Sequence, residues 1–200
     1  MSAGDKLRIG VLGSGAGTNL DAIFRAIHDS MLPAEIKVVV SDVRDAGILH
    51  VGRAHRAQTK YVYPGEAEGV LEPASEHNIV NALQHQHAEL VLLLNFLRAP
   101  GPDLLGAFAG RILAVHPSLL PAHPGPRPWE DALAAGDTVA GCTVYRVGGD
   151  GGFGEIVAQA EADILPGDTP EILRDRIRQA ENLLFPAVVE FFARERPFAG

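Results

Sequence analysis

The sequence predicts a doubly wound α/β protein built on a mostly parallel sheet, and three observations carry that reading. Short apolar runs at residues 7–12, 36–40, 90–94 and 112–115 have the length and composition of buried parallel strands. Between them, residues 19–30, 46–57 and 73–86 repeat apolar side chains at three- and four-residue steps, so helix alternates with strand. The first strand passes into a glycine-rich turn before its helix, and the last of the four delivers a histidine just past its end. Open α/β sheets keep their chemistry at that edge.

The glycine turn is Gly13-Ser14-Gly15-Ala16-Gly17-Thr18-Asn19. Glycines there let the main chain approach an anion closely, while free N–H groups and the helix dipole favour negative charge; Thr18 and Asn19 add side-chain donors. The plainer reading is a turn that only joins strand to helix. A dinucleotide fingerprint needs a glycine where Thr18 stands, although Asp42 follows the second strand at about the spacing of a ribose-binding acid. Phosphate binding is the favoured role.

The strand at 112–115 runs into His116-Pro117-Ser118-Leu119-Leu120-Pro121, which holds a titratable imidazole at the carboxyl end of the sheet. The bland alternative is a hydrogen-bonded turn histidine. His28, His50, His55, His77, His85, His87 and His123 lack metal-ligand spacing and read mostly as surface residues. Beyond the motif the pattern is more mixed: a Pro-rich loop to 128, a short helix over 129–135, and strand candidates at 141–147 and 156–162. The glycine-rich stretch 148–154 reads as a mobile loop. Asp168 or Thr169 caps, and Pro170 opens, a long amphipathic helix to about Arg194 that is expected to lie across the sheet.

Composition bounds the function. The 200 residues, 46% apolar and 21% charged, suit one domain without internal repeats or a linker. A formal charge of −8 argues against a nucleic-acid or anionic-membrane surface but leaves room for a local basic pocket that takes a phosphorylated metabolite. Cys142 is the only cysteine, which excludes an intrachain disulfide and fits a reducing cytoplasm. The longest apolar stretch, 90–97 interrupted by Asn95, is too short for a bilayer, and Met1-Ser2-Ala3-Gly4-Asp5 has no signal-peptide character.

Taken in order, several motifs resemble the folate-dependent formyltransferase family: Gly15-Ala16-Gly17-Thr18-Asn19, Phe96-Leu97-Arg98, His116 to Pro121, Gly136-Asp137 before Gly141-Cys142-Thr143-Val144, and Glu181 ahead of Phe185-Pro186. The match spans nearly the whole chain and is closest to the members that formylate glycinamide ribonucleotide (GAR) in purine synthesis. The resemblance implies a Rossmann-like formyltransferase fold, with residues 1–100 as a phosphate-binding half and 101–200 as a catalytic-loop half. It implies that Gly17, Thr18 and Asn19 hold a phosphate, that Leu97 and Arg98 flank the folate, and that Glu181 sits near the acceptor amine. The implied reaction moves a formyl group from 10-formyltetrahydrofolate, the co-substrate, to a primary amine without a metal. It proceeds through a tetrahedral intermediate that needs an oxyanion donor and a proton shuttle.

The family supplies that chemistry with an Asn-x-His pair and an Asp on the later glycine loop. Here the Asn position is Ala114, and a gapless alignment over 141–159 puts Gly152 where the Asp belongs, so only His116 stands in register. Loss of one oxyanion donor costs roughly a hundredfold to a thousandfold in rate. Asp150 is the candidate displaced acid, its bland reading being a turn aspartate; Asn95 and Glu155 are weaker replacements. Arg127-Pro128-Trp129 replaces a His-containing stretch, and 63–66 lacks the expected arginine. Pro128-Trp129 is similar to domains acting on aminoacyl-tRNA or amino sugars, but the acidic charge and the lack of a following RNA-binding domain disfavour tRNA. Two other readings stand beside the enzyme: a degenerate protein that binds a folate or phosphorylated ligand without turnover, and a nucleotide-cofactor oxidoreductase using Asp42. Whether the chain dimerises is left open.

Overall fold

The computed structural model describes residues 6–67 and 69–196. The elements run β1 (Leu7–Leu12), α1 (Thr18–His28), β2 (Ala34–Ser41), α2 (Gly47–Ala54), β3 (Gln58–Tyr61), α3 (Pro73–His85), β4 (Leu90–Leu93), α4 (Pro102–Ala107), β5 (Ile112–His116), α5 (Pro128–Ala135), β6 (Val139–Val147), β7 (Phe153–Asp163) and α6 (Pro170–Glu195). Among the described residues the strands form one sheet in the order β3-β2-β1-β4-β5-β6-β7. The first five are parallel, while β6 and β7 run antiparallel to their neighbours. The doubly wound, mostly parallel prediction therefore holds. Residues 1–5, read above as no signal peptide, lie outside the described residues.

Both faces of the inner parallel strands β1, β2, β4 and β5 are covered, which is why those four read as continuous apolar runs. On one face Leu20 and Ile23 of α1, Ile48 and Leu49 of α2, and Phe185, Val189 and Phe192 of α6 close over Leu7, Ile9, Val11 and Leu113. On the other, Ile79 and Leu83 of α3 and Leu104 of α4 close over Leu12, Val91, Leu93 and Ile112. Each such side chain contributes about 1.5–3 kcal/mol on leaving water. A smaller cluster joins α5 and α6 to β6 and β7 and encloses Cys142, whose thiol is pushed up to about 12, mainly by burial. That cysteine is inert packing.

Two elements escaped the pattern. β3 is an edge strand of sequence Gln-Thr-Lys-Tyr, with no apolar run to mark it, and α4 is only six residues long. The stretch read as a mobile loop is instead closed as a hairpin turn: Gly148 N donates to Gly152 O at 2.9 Å, and Gly151 N to Gly148 O at 2.9 Å. α6 begins as expected, with Thr169 accepting from Ile172 N and Pro170 in the first turn, and it crosses the sheet to the β1 side. None of the helices described is long and apolar enough to cross a membrane.

The strand order fixes the site. After β1 the chain winds outward to β2 and β3, then returns to β4 on the other side of β1. The crevice at the carboxyl ends of β1 and β4 is thus a topological switch point, where open α/β sheets bind ligands.

Candidate active site

A cavity of about 420 Å³ opens at that crevice and extends over the end of β5; His116, Ala114, Asn95, Tyr145, Arg174 and Glu181 share its wall. His116 is the last residue of β5. Its Nε2 lies 3.1 Å from the carbonyl oxygen of His123. A carbonyl only accepts, so Nε2 carries the proton and Nδ1 is the basic nitrogen. Burial holds the imidazole below its ordinary 6.5; the His123 carbonyl and the charge of Glu181 oppose that shift, and Arg174 reinforces it. Phe153 meets the ring edge-on at 5.0 Å between centroids.

The loop that aims His116 is tied down by one buried hydroxyl. Thr143 Oγ1 donates to Ser118 O at 2.6 Å and accepts from Leu120 N at 2.9 Å and from Gln159 Nε2 at 2.8 Å. His123 is anchored in turn, its Nε2 2.7 Å from Asp137 Oδ2. Sequence reasoning left His123 among surface histidines. It is half-buried instead, and its backbone sets the tautomer of His116. The signal available was its place seven residues after His116 in the same Pro-rich loop.

The glycine turn divides between two cavities. Gly17 has φ of 88°, and a Cβ there would stand 2.8 Å from Ile48 Cα, so only glycine fits. Gly17 and Thr18 open onto a neighbouring cavity of about 520 Å³ with Asp21 and Arg25. No side-chain cap hydrogen bond closes the N-terminus of α1, whose first residue, Thr18, lines that cavity. Asn19 faces the His116 cavity: its Nδ2 donates to Glu181 Oε2 at 3.1 Å, while Arg174 Nη1 donates to Glu181 Oε1 at 3.2 Å. Arg174 also lies 4.6 Å over the Trp129 ring. Asn19 Oδ1 is buried and unpartnered, leaving one acceptor free beside the Glu181 carboxylate.

Leu97 is 64% exposed at the cavity mouth. Arg98 is bound inward, donating from Nε to Asp42 Oδ2 at 2.9 Å and from Nη1 to Ala67 O at 2.7 Å. Ser14 Oγ donates to the other oxygen of Asp42 and accepts from Leu97 N at 3.0 Å. Asp42 is therefore a buried brace between the β1 and β4 loops, with both oxygens engaged. That corrects the reading of Asp42 as a ribose-binding acid, and with it the oxidoreductase alternative.

The candidate replacements for the missing acid lie elsewhere. Asp150 is exposed and its Oδ1 accepts from Gly152 N at 3.0 Å, an aspartate closing its own turn. Glu155 pairs with Arg146 across the hairpin at 3.2 Å. Gly152 carries no side chain, and Ala114 presents only a methyl to the cavity.

Residues 7–189 match the profile of the family described as formyl transferase. The chain belongs to the formyl transferase family. The chain is 34% identical over 190 residues to the phosphoribosylglycinamide formyltransferase of Haemophilus influenzae, a match that covers 94% of this chain and 88% of that one. It is 36% identical over 188 residues to the trifunctional purine biosynthetic protein adenosine-3 of Drosophila pseudoobscura, covering 93% of this chain but only 14% of that much longer protein. Among solved structures, it superposes on glycinamide ribonucleotide transformylase 1 from Symbiobacterium toebii with a TM-score of 0.89 and 38% identity, over 96% of this chain and 90% of the other. Beyond His123, the residues of this cavity that the sequence did not mark are Arg174 and Tyr145. Both sit amid strong helix or strand pattern, where nothing local marks them as cavity-lining.

Proposed function

We propose that this chain moves a formyl group from 10-formyltetrahydrofolate to the primary amine of GAR, in the reducing cytoplasm. The observation that carries the reading is His116, neutral and fixed in one tautomer, beside an uncapped helix N-terminus at the switch crevice. Gly17 and Thr18 would receive the phosphate through the main-chain N–H groups of α1. Glu181 and the free oxygen of Asn19 would accept hydrogen bonds from the rest of the acceptor, with Arg174 orienting the Glu181 carboxylate. Phe96, Leu97 and Pro100 would offer apolar walls to a pterin ring. In the reaction the amine nitrogen attacks the formyl carbon, Nδ1 of His116 takes the amine proton, and the same imidazole returns a proton to the departing nitrogen of the folate.

The pH profile follows from His116. Its base form must accept the amine proton, and burial lowers its pKa, so the base form persists below the ordinary 6.5. The rate is expected to be flat through neutrality and to fall as pH drops through that lowered value. A pH series of kcat/KM checks this; an acid limb centred above pH 7 contradicts it.

A second reading, ligand binding without turnover, is favoured by Ala114 and Gly152. Steady-state assays with GAR and with a nucleotide-linked amino sugar as acceptors separate the possibilities. The proposal expects formyl-GAR with a clear preference over the sugar. Tight folate binding with neither acceptor formylated favours the second reading.

A further inference from the structure

Ala114 leaves the formyl oxygen without the donor that the reaction needs as negative charge develops there. The sheet register points to a substitute. Antiparallel pairing places Tyr145 of β6 directly opposite Ala114 of β5. Residues so paired project from the same face with Cβ atoms about 4.5–5.5 Å apart. Both line the cavity that holds His116. The Tyr145 and His116 rings also meet the same Phe153 ring, each edge-on with centroids 5.0 Å apart, so phenol and imidazole flank one aromatic wall.

The Tyr145 hydroxyl has no hydrogen-bond partner among the described residues. The hydroxyl is not among the buried unpartnered atoms, so it is open to solvent, and on the wall of the His116 cavity it is free to donate to a ligand there. We infer that the Tyr145 hydroxyl is a catalytic residue, supplying the hydrogen bond to the formyl oxygen that Ala114 cannot give; this rests on the formyl-transfer reading above. Burial raises the phenol above its ordinary 10, so the O–H stays intact at any working pH.

The step balances without a further reactant. As the amine nitrogen bonds to the formyl carbon, the carbonyl π pair moves onto oxygen, and Tyr145 donates a hydrogen bond without giving up its proton. Collapse re-forms the carbonyl and breaks the bond from that carbon to the folate nitrogen, which takes the proton His116 carried away from the amine. Asn95 is the competing donor, since its amide also borders the cavity. It stands beyond β4 at φ 53°, and a Cβ on Gly15 would meet its Nδ2 at 2.7 Å, so the amide lies against the β1 loop.

The test compares the unaltered chain with Tyr145→Phe, which keeps the ring and its contact with Phe153, and with Asn95→Ala. With GAR as acceptor, Tyr145→Phe is expected to lower kcat by about 10²–10³-fold at nearly unchanged KM for the folate. Adding Ala114→Asn to that variant is expected to recover most of the loss. A second readout needs no turnover: the infrared carbonyl band of 10-formyltetrahydrofolate labelled with carbon-13 in the formyl group, bound without acceptor. The band should lie at lower frequency in the unaltered chain than in Tyr145→Phe and be indifferent to Asn95→Ala. If the unaltered chain does not formylate GAR, the functional reading fails, and the infrared comparison still decides whether Tyr145 holds the oxygen. An identical band with and without the hydroxyl, a shift that follows Asn95 instead, or a kcat kept by Tyr145→Phe overturns the inference.

Discussion

His116→Ala is expected to lower formyl transfer by about 10²–10⁴-fold while leaving affinity for the phosphorylated acceptor nearly intact. The imidazole is the titratable group at the carboxyl end of β5 with a fixed tautomer, and in the described residues no carboxylate hydrogen-bonds to it. The phosphate is assigned instead to main-chain groups of α1, which the substitution does not touch. The fold should survive, because the residue loses one hydrogen bond to His123, worth about 1 kcal/mol. Steady-state kinetics beside calorimetric titration with GAR check both halves. Turnover within about threefold of the unaltered chain would remove His116 from the mechanism.

Asp42→Ala is expected to cost about 3–5 kcal/mol of folding stability, a large share of what a domain this size possesses. Its side chain is only 1% exposed and accepts from Arg98, itself 19% exposed, and from Ser14. Removing the carboxylate strands a largely buried guanidinium and frees the Ser14 hydroxyl that receives Leu97 N. The β1 and β4 loops, which frame the cavity, would lose their common brace. A denaturant midpoint that falls sharply at unchanged slope is the expected result. A variant of ordinary stability that had lost binding of a nicotinamide nucleotide would revive the dinucleotide reading instead.

Much of the fold was legible because burial on both faces writes itself as apolar runs. β1, β2, β4 and β5, with α1, α2 and α3 between them, fall within a few residues of their expected bounds. β3 was hidden because an edge strand of Gln-Thr-Lys-Tyr carries no such signature. At the site, His116 stood out through the turn chemistry of its proline-framed motif, and Glu181 and the glycine turn through ordered resemblance. What the chain does with its missing Asn and Asp was not legible. Replacement by a residue on the neighbouring strand depends on register: Ala114 faces Tyr145 only because β5 and β6 pair as they do, thirty-one positions apart in sequence. Asp42 shows the converse error, in which spacing along the chain suggested a ligand contact and burial assigned the carboxylate to Arg98 and Ser14.

The chain is expected to complete the transfer with His116 in place and neither the family's Asn nor its Asp beside it. A single-turnover reaction tests it most directly: excess enzyme, GAR, and 10-formyltetrahydrofolate labelled with carbon-13 in the formyl group, followed by mass spectrometry of the products. The label is expected in formyl-GAR, formed by the unaltered chain and faster with Ala114→Asn. Label that remains on the folate or leaves as free formate, with none in formyl-GAR, would contradict it.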